Sequence, residues 1–450
     1  MKKTFIIAII AFFIAATILV VMYYFKNFSG IGPAFQNAPI DITTVVPSSP
    51  QTQTQQTSSQ QSTEQNATQQ VVQNTTNMPL QLASGFSVSI FAKNLTNPRV
   101  LIKDPNGVLL TSDTAQGKIY ALPDADHNGV ADKNIAIVEG LKQPHGMAFQ
   151  CPNPSDAKTC ALYIGETDKV TGYLYDPTTL KATFDKKITD LSGGGRHFTR
   201  TLMFLNGADS NQLLVSIGSD CDVCHEENET RGTIQVLNVD TGELKLYARG
   251  LRNSVFMTYD PYFSKIYATE MGHDYLGDDT PPDEINMIEA DKNYGWPNCY
   301  GQNIHDTEFD HNTYIRNPCM APFETPAALD LQAHSAPLGL AFFPTADSIN
   351  GQQNLWPQEL RGNLLVSFHG SWNRSVPTGY KVVLIKTSQN STDQTLSFSQ
   401  PEDFMTGWLN KASNANGALG RPVDIFINPD RTIYISDDKA GVVYLLSYNG

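Results

Sequence analysis

One acidic loop and the residues before it bring together side chains that could bind a cation or a charged ligand. Arg252 and Asn253 precede two short apolar strands, and the loop GHDYLGDDTPPDE (residues 272–284) follows the second strand. The loop contains five carboxylates: Asp274, Asp278, Asp279, Asp283 and Glu284. Crowded like charges repel each other unless they are compensated, so this density indicates either full solvation or a bound cation, and hard oxygen ligands suit calcium.

Two histidines at the starts of predicted strands could act as bases. His197 lies in GRHFTRTLMF, and His145 lies in PHGMAF. A neutral imidazole can take the proton of a hydroxyl group, which is a common role of histidine near neutral pH. A lone histidine at such a position is more often structural. The residues alone leave His197 and His145 as competing candidates for the base, with His369 in HGSWNR as a further candidate.

The elements that must position these residues are short strands that recur along the chain. An apolar strand, a turn rich in Pro, Asp, Asn or Gly, and a second apolar run recur in six copies, which begin near residues 98, 144, 200, 254, 337 and 421. This repetition predicts an all-β, six-bladed β-propeller over residues 79–450, with a pair of β-sandwiches as the alternative. The early strand FSVSIFA (residues 86–92) could pair with GVVYLLSY (residues 441–448) and close the ring.

A second loop, DADHNGVAD, has the spacing of an EF-hand calcium loop in its first half. Gly129 occupies position 6, where the sharp turn of such a loop needs glycine. Oxygen ligands occupy positions 1, 3, 5 and 9, namely Asp124, Asp126, Asn128 and Asp132. Position 12 is Ile135 instead of the bidentate glutamate. The loop is therefore either a structural calcium site or a plain hairpin turn.

The six cysteines agree with an exported protein in an oxidising compartment. Proximity in the sequence suggests the pairs Cys151–Cys160, Cys221–Cys224 and Cys299–Cys319, although fifteen pairings are possible. Free buried thiols are the alternative. The run CDVCH (residues 221–225) also matches the haem c attachment pattern, but it lies between two predicted strands with no helix around it. A short disulfide loop is therefore the preferred interpretation of this run.

The formal net charge of −14 and the sequence pI of about 5.0 argue against a nucleic-acid partner, which would require a basic face. At the N-terminus, Lys2 and Lys3 precede an apolar run over residues 5–25. Because about 20 apolar residues span a bilayer and no clear cleavage site follows, we expect residues 1–26 to form a transmembrane signal anchor rather than a cleaved signal peptide.

Residues 27–78 are rich in Gln, Thr and Ser and contain few large apolar side chains, so they predict a disordered linker. The positive charges before the apolar run would stay in the cytoplasm. The propeller would then lie outside the cytoplasmic membrane on its tether, or would be secreted if the signal is cleaved.

Several motifs together resemble the soluble quinoprotein sugar dehydrogenases, and within them the sorbosone dehydrogenase-like branch. Besides the stretch at residues 250–300, the resemblance covers LPDADHNGVAD, GRHFTRTLMF, GSDCDVCHEENETRGTI, HSAPLGLAFF, FHGSWNRSVPTGYKVV and GRPVDIFINPD, in the order of the family. It implies a six-bladed propeller with pyrroloquinoline quinone (PQQ) held by Ca²⁺. A site for PQQ, which has three carboxylates and an ortho-quinone, needs several cations.

The resemblance also implies residue roles. His197 matches the catalytic base, although Arg196 precedes it where the glucose-oxidising branch has Asp, so an orienting carboxylate would have to come from elsewhere. The implied cofactor contacts are Arg252, Asn253 and Arg421. Where the chain departs from the family, Trp372 could stack on the cofactor and Arg374 could contact one of its carboxylates, and His145 and Arg200 are further candidate contacts. The implied Ca²⁺ ligands are the backbone carbonyls of Gly272 and His273, with Asp274 close by. The HGSWNR loop replaces a lysine-bearing loop of the glucose-oxidising branch.

These observations predict a membrane-tethered, extracytoplasmic PQQ- and Ca²⁺-dependent dehydrogenase that oxidises an aldose or a related sugar or aldehyde and passes electrons to an unidentified acceptor. One alternative is a propeller that has lost the cofactor and binds glycans or protein partners. A second alternative, a haem c electron-transfer protein, depends on CDVCH alone.

Overall fold

The computed structural model describes residues 74–153, 156, 159–205, 207, 210–349, 351–409 and 417–450, in which the named elements are β-strands. These ranges contain no helix that is long and apolar enough to cross a membrane. The predicted anchor (residues 1–26) and most of the predicted linker lie outside the described residues.

Two short strands, β1 (Gln81–Leu82) and β2 (Phe86–Ala92), begin the fold and join the last two of six antiparallel sheets. Blade one contains β3 (Pro98–Lys103), β4 (Leu109–Asp113), β5 (Lys118–Leu122) and β6 (Ile135–Val138). Blade two contains β7 (Met147–Gln150), β8 (Ala161–Glu166), β9 (Lys169–Asp176) and β10 (Lys181–Asp190). Blade three contains β11 (Leu202–Phe204), β12 (Gln212–Ile217), β13 (Thr233–Asn238) and β14 (Leu244–Arg249).

Small two-stranded hairpins are inserted in blades four and five. Blade four contains β15 (Met257–Tyr259), β16 (Ile266–Glu270), β17 (Asp283–Ile288) and β20 (Leu329–Leu331), with the hairpin β18 (Cys299–Tyr300) and β19 (Ile304–His305) inserted. Blade five contains β21 (Pro337–Phe342), β24 (Leu364–Phe368), β25 (Lys381–Ile385), β28 (Glu402–Thr406) and β1. Two hairpins are inserted in this blade. The first consists of β22 (Ser348–Ile349) and β23 (Gln352–Gln353), and the second consists of β26 (Thr387–Asn390) and β27 (Thr395–Phe398). Blade six contains β29 (Pro422–Ile427), β30 (Thr432–Asp437), β31 (Val442–Tyr448) and β2. The predicted six-bladed propeller is confirmed.

The ring closes as the sequence predicts, because the early strand β2 pairs with the last strand β31. Their register runs from Phe86 opposite Tyr448 to Ala92 opposite Val443. The folded unit also begins before the predicted end of the linker at residue 78. The N–H of Thr75 donates to the carbonyl of Val88 at 3.0 Å. Residues 74–78 thus gain main-chain hydrogen bonds and buried contacts that a sequence poor in apolar side chains does not reveal.

The second strand of each blade is almost entirely buried, for example β4, β12, β16 and β24. These strands are buried even where they contain polar residues, as in LLTSD of β4 and IYATE of β16, because each blade packs between two neighbours. All three predicted disulfides, Cys151–Cys160, Cys221–Cys224 and Cys299–Cys319, are present. Since Cys221 and Cys224 bond to each other, neither thiol is available for haem attachment.

Candidate active site

The starts of the first strands of five blades converge on one cavity at the propeller axis. Arg99, Thr199, Asn253, Ala336 and Arg421 lie at or just before these starts and line the cavity. It is open and encloses about 850 Å³, part of which is bulk solvent. Residues that are far apart in the sequence therefore meet here because the propeller repeats one strand direction around its axis.

The lining concentrates positive charge in an otherwise acidic chain. Its ionisable residues include four arginines and two aspartates, namely Arg99, Arg196, Arg252, Arg421, Asp274 and Asp283. The formal net charge of the whole chain is −14. Guanidinium groups recognise carboxylates in a planar, bidentate manner, so this lining indicates an anionic ligand.

His197 is held by the main chain rather than by a carboxylate. Its Nδ1 lies 2.9 Å from the carbonyl oxygen of Ser219 and 3.0 Å from Ser219 Oγ. A carbonyl oxygen can only accept, so this network assigns the proton to Nδ1 and leaves a lone pair on Nε2. His197 lines the cavity, and its Nε2 is not among the buried side-chain atoms of the described residues that lack a hydrogen-bond partner. Gly218 permits this packing, because a Cβ there would lie 2.6 Å from Cβ of His197.

The surroundings of His197 keep its imidazole neutral. Burial and the guanidinium groups of Arg252 and Arg196 lower the pKa of His197 well below its ordinary value. At neutral pH the ring therefore presents an unprotonated Nε2 to the cavity. This arrangement suits a general base, because the orienting contact to Ser219 also stabilises the imidazolium that forms when a proton is taken.

Arg252 and Asn253 meet the cavity as a fixed pair. Nη2 of Arg252 donates to Oδ1 of Asp222 at 2.6 Å and to Oδ2 of Asp274 at 2.7 Å. The backbone N–H of Asn253 donates to Oε1 of Glu270 at 2.7 Å. Both predicted residues thus lie at the cavity with their main and side chains held by buried carboxylates.

Asp274, predicted to lie beside the metal, instead serves as a partner of arginines. Its Oδ2 accepts from both Arg252 and Arg196, and its Oδ1 lies 3.2 Å from Nδ2 of Asn373. The guanidinium groups of Arg252 and Arg196 supply positive charge to the acidic loop, for which the sequence alone indicates either full solvation or a bound cation. Arg196, which stands where the glucose-oxidising branch has an aspartate, therefore pairs with Asp274 of the acidic loop.

Arg421 approaches the cavity from the opposite side. Its Nε donates to the carbonyl of His369 at 3.0 Å, its Nη2 donates to the carbonyl of Gly370, and no salt bridge to a described residue engages its charge. Arg99 forms a salt bridge with Asp438, whose other oxygen lies 2.9 Å from Nε2 of His369. Burial would raise the pKa of Asp438, but His369 and Arg99 hold it below its ordinary value.

The sequence reasoning missed Arg99 and Asp438. Arg99 follows Pro98 at the start of β3, much as Arg421 precedes Pro422 at the start of β29. The registers Pro98–Asp113 and Pro422–Asp437 make Asn97, not Arg99, the counterpart of Arg421, so the place of Arg99 near a strand start was the only signal. Asp438 carries no such signal, because only the folded ring brings it to Arg99.

Two more lining residues, His334 and Asn373, also escaped the prediction. Nδ2 of Asn373 donates to the carbonyl of Asp274 at 2.7 Å and lies 3.2 Å from Nδ1 of His334. His334 precedes β21, in the same relation to its blade as the residues that were predicted. Its place at a strand start was therefore an available signal.

Two predicted residues of the HGSWNR loop, His369 and Trp372, line the cavity. Trp372 lines it, with the Arg196 guanidinium 5.9 Å from its ring centre. Arg374 does not line it, because its Nε donates to the carbonyl of Asp278 at 2.9 Å and its Nη2 pairs with Asp279. The acidic loop thus holds this guanidinium outside the lining, and the role of Arg374 as a cofactor contact stays a prediction.

His145 and Arg200 lie behind the lining and not in it. His145 is fully buried, and its Nδ1 lies 3.2 Å from Oγ1 of Thr201. The guanidinium of Arg200 donates to the carbonyls of His197 at 3.0 Å and Thr199 at 2.6 Å. Both side chains thus contact main-chain or hydroxyl groups behind the lining, and their roles as cofactor contacts stay predictions.

The predicted metal loop reaches the cavity at Gly272. Its N–H donates to Oδ1 of Asp283 at 3.0 Å, and burial raises the pKa of that carboxyl to about 6. Among the described residues, no N–H or O–H group donates to the carbonyl oxygens of Gly272 or His273. The ring of His273 lies between Asp222 and Asp306, at 3.0 and 3.3 Å. Asp283 thus holds the loop, while two carbonyls remain available to a cation.

The loop at residues 124–132 joins β5 to β6 and does not gather its acids around one point. Oδ1 of Asp124 accepts from the N–H of Asn128 at 3.0 Å, and Oδ2 of Asp132 accepts from the N–H of Ala125 at 2.9 Å. Asp126 accepts from the side chain of Asn128 at 2.9 Å. The predicted ligands therefore close the loop themselves, as in the hairpin turn that was the alternative.

Comparison with known proteins places this geometry in a family context. A family model described as TrAA12-like matches residues 80–449. An uncharacterised protein of Borreliella burgdorferi is 28% identical over 386 residues, which cover 82% of this chain and 91% of that protein. The pyrroloquinoline quinone-dependent pyranose dehydrogenase of Coprinopsis cinerea is 25% identical over 419 residues, which cover 82% of this chain and 54% of that enzyme. The chain thus spans about half the length of this enzyme.

Solved structures share the fold. The holo form of the pyranose dehydrogenase PQQ domain from Coprinopsis cinerea has a TM-score of 0.66 and 22% identity, covering 82% of this chain and 97% of that domain. The calcium structure of the Trichoderma reesei carbohydrate-active enzymes family AA12 has a TM-score of 0.68 and 22% identity, covering 83% of this chain and all of that one. Both likenesses bear on the architecture of the propeller.

Proposed function

The chain belongs to the TrAA12-like family, within the superfamily of PQQ-dependent soluble sugar dehydrogenases, and from this premise we propose that it is a PQQ-dependent oxidoreductase that oxidises an aldose or a related sugar or aldehyde. The fungal relatives support the proposal through their names. The observation that carries it is His197, a neutral imidazole with Nδ1 fixed by Ser219 and Nε2 open to a cavity that four arginines line. The predicted sorbosone-type specificity remains a proposal.

The lining fits the chemistry of PQQ. Arg421 makes no salt bridge with a described residue, and the buried Nε atoms of Arg99 and Arg196 have no hydrogen-bond partner among the described residues. These donors would hold the cofactor carboxylates, and Trp372 offers a flat wall beside Arg196. When bound, PQQ supplies an ortho-quinone that accepts the hydride.

The protein's own contribution to the reaction is removal of a proton. Nε2 of His197 would accept the proton of the sugar hydroxyl while Ser219 holds Nδ1–H in place. The adjacent guanidinium groups of Arg252 and Arg196 disfavour the resulting imidazolium, so the proton would pass on to solvent. Electrons would leave to an acceptor outside the chain.

The same geometry supports a Ca²⁺ proposal at the acidic loop. The carbonyl oxygens of Gly272 and His273 lack donors among the described residues, and carbonyl oxygens are ordinary Ca²⁺ ligands. Asp283 would keep this loop in place through the N–H of Gly272.

The three disulfides support an extracytoplasmic location of the propeller. In this proposal residues 1–26 form the membrane anchor.

A cofactor-free propeller that binds glycans or protein partners is the second candidate. It is favoured by one observation, namely that three of the four lining arginines already have an aspartate partner in the chain. Arg99 pairs with Asp438, and Arg196 and Arg252 both pair with Asp274. Such pairs could shape a recognition surface without any cofactor.

Titration of the purified protein with PQQ, with and without Ca²⁺, tests the proposal. Dye reduction would be followed with a panel of aldoses and aldehydes, and His197→Ala would serve as the control. We expect saturable, PQQ-dependent dye reduction that collapses in the variant. Failure to bind PQQ in the presence of Ca²⁺ would reject the dehydrogenase and favour the recognition propeller.

A further inference from the structure

The loop closed by the Cys221–Cys224 disulfide meets the site through Asp222. Oδ1 of Asp222 accepts from Nη2 of Arg252 at 2.6 Å and from the N–H of Asp274 at 3.0 Å. The backbone carbonyl of Asp222 accepts from Nε of Arg252 at 2.8 Å and from Nε1 of Trp296 at 3.2 Å. Asp222 therefore fixes both the position of the Arg252 guanidinium and the start of the acidic loop, although it does not line the cavity.

The same loop also meets the site through Ser219. Oγ of Ser219 donates to the carbonyl of Cys221 at 2.6 Å, and this donation leaves Oγ free to accept from Nδ1 of His197. The N–H of Ser219 donates to the carbonyl of Arg252 at 2.7 Å. The four residues 219–222 thus connect the candidate base to the candidate cofactor arginine through hydrogen bonds on both sides.

No named strand holds this segment. It lies between β12, which ends at Ile217, and β13, which begins at Thr233. Loops without ladder hydrogen bonds are generally the more mobile parts of a fold. The cross-link between Cys221 and Cys224 flanks Asp222 directly, so it restricts the carboxylate and the Cys221 carbonyl at once.

We propose that the Cys221–Cys224 loop is a positioning element of the active site, in which Asp222 aims Arg252 at the ligand and the Cys221 carbonyl fixes the Ser219–His197 contact. The proposal deepens the function proposed above and rests on it for the identity of the ligand. The Cys151–Cys160 disulfide provides the contrast. It bridges the connection from β7 to β8, which lies at the end of a first strand remote from the cavity.

Affinity for PQQ tests the role of Asp222. In Asp222→Ala, Arg252 loses one charge-assisted hydrogen bond, and we expect the Kd for PQQ to rise by about tenfold to a hundredfold. Asp222→Asn keeps an oxygen at the same position and should restore much of the affinity. An unchanged or tighter Kd in Asp222→Ala would overturn this part of the proposal, since a merely structural residue would change only the melting temperature.

The tautomer of His197 tests the second contact without any cofactor. Histidine-labelled apo protein would be compared by ¹⁵N NMR in the wild type, Cys221→Ser/Cys224→Ser and Cys151→Ser/Cys160→Ser, with His197→Ala to assign the signal. We expect a single Nδ1–H tautomer in the wild type and the control pair, and a mixture of tautomers in the first pair. Identical spectra in both pairs would contradict the proposal. If the wild type does not bind PQQ, the proposed function fails, but this measurement still tests the positioning role.

Discussion

Behind the lining of the cavity, two aspartates each lie between an arginine and a histidine, and the two groups are built differently. The loop wall consists of Asp222, Arg252 and His273, in which Asp222 lies 2.6 Å from Arg252 and 3.0 Å from His273. The strand wall consists of Arg99, His369 and Asp438, in which Asp438 lies 2.9 Å from His369. Asp438 follows β30 directly and is buried, whereas Asp222 lies in a loop that a disulfide closes. The comparison indicates that the propeller itself fixes one wall and a covalent bond fixes the other.

His197 differs from the histidines of both walls because its partner is not a carboxylate. His273 contacts two aspartates, which raise its pKa against the effect of burial. His369 contacts Asp438, yet burial and Arg421 lower its pKa to about 4. His197 has only the carbonyl and hydroxyl of Ser219 beside Nδ1. Of these three rings, His197 alone combines a fixed Nδ1–H with an Nε2 that opens on the cavity.

The largest expected effect comes from removing that ring. His197→Ala should lower kcat by about 10²–10⁴-fold, because a positioned general base contributes an acceleration of this size. PQQ affinity should change little, since the arginines and Trp372 remain. Steady-state kinetics with the best aldose, together with a PQQ titration, would check both expectations.

His369→Ala is the matched control on the strand wall. The ring of His369 is already paired with Asp438, so removal of this ring should weaken PQQ binding more than it lowers kcat. If His369→Ala instead lowered kcat as strongly as His197→Ala, the assignment of the base to the carbonyl-bound histidine would be wrong.

The fold could be predicted from the sequence because its determinants are local. Apolar alternation and turn residues mark each blade, the closing strand is visible at residues 86–92, and every disulfide joins neighbours in the sequence. The strand starts then indicate which residues approach the axis. This is why His197, Arg252, Asn253 and Arg421 all reach one cavity, which Trp372 joins from the loop after β24.

What the sequence could not predict is the direction of side chains that have a competing partner. Arg374 and Arg200 occupy suitable positions, but the acidic loop attracts the first and unsatisfied carbonyls attract the second. Asp274 turns to arginines for the same reason. Asp438 could not be predicted because its partner Arg99 is 339 positions away and meets it only when the ring closes.

Removing Arg421, whose guanidinium contacts the strand wall at the carbonyl of His369, should have the next largest effect. Arg421 has no salt bridge to a described residue, so its charge is available to a ligand carboxylate. Arg421→Ala should raise the Kd for PQQ by about tenfold to a hundredfold, the value of one or two charge-assisted hydrogen bonds. Fluorescence or calorimetric titration would measure it.

Arg374→Ala provides the control, because its guanidinium is bound to Asp278 and Asp279 outside the lining. We expect its Kd for PQQ to stay close to the wild-type value. Equal losses in the two variants would show that Arg374 swings into the cavity when the ligand binds.

A subtler change on the side of the loop wall should appear in the pH profile. Arg196 is one of the two guanidinium groups that, after burial, lower the pKa of His197. Arg196→Gln removes that charge, so the pKa of His197 should rise and the acid limb of kcat/KM should move to higher pH. The profile of kcat/KM between pH 4 and pH 8 measures this shift, and a limb that stays in place would mean that another group controls it.

The smallest expected effect concerns how the strand wall is anchored. Asp424 on β29 accepts the N–H of Leu101 on β3 at 2.8 Å, and so ties the strands that begin near Arg421 and Arg99. Burial raises the pKa of Asp424 to about 7. Protonation of Asp424 therefore stabilises the folded protein. This contribution is fully present below the unfolded pKa of about 3.9 and is lost as the pH rises through 7. Its size is about 1.4 kcal/mol for each unit by which folding raises the pKa.

Asp424→Asn should therefore flatten the fall in melting temperature of the wild type between pH 5 and pH 8, because an amide does not titrate. Asp430→Asn, on an exposed turn after the same strand, should leave the slope unchanged. Melting temperatures measured across this range for the three proteins decide the matter. Parallel curves for wild type and Asp424→Asn would mean that another group causes the pH dependence of the melting temperature. The anchoring of the strand wall by Asp424 would then not depend on pH.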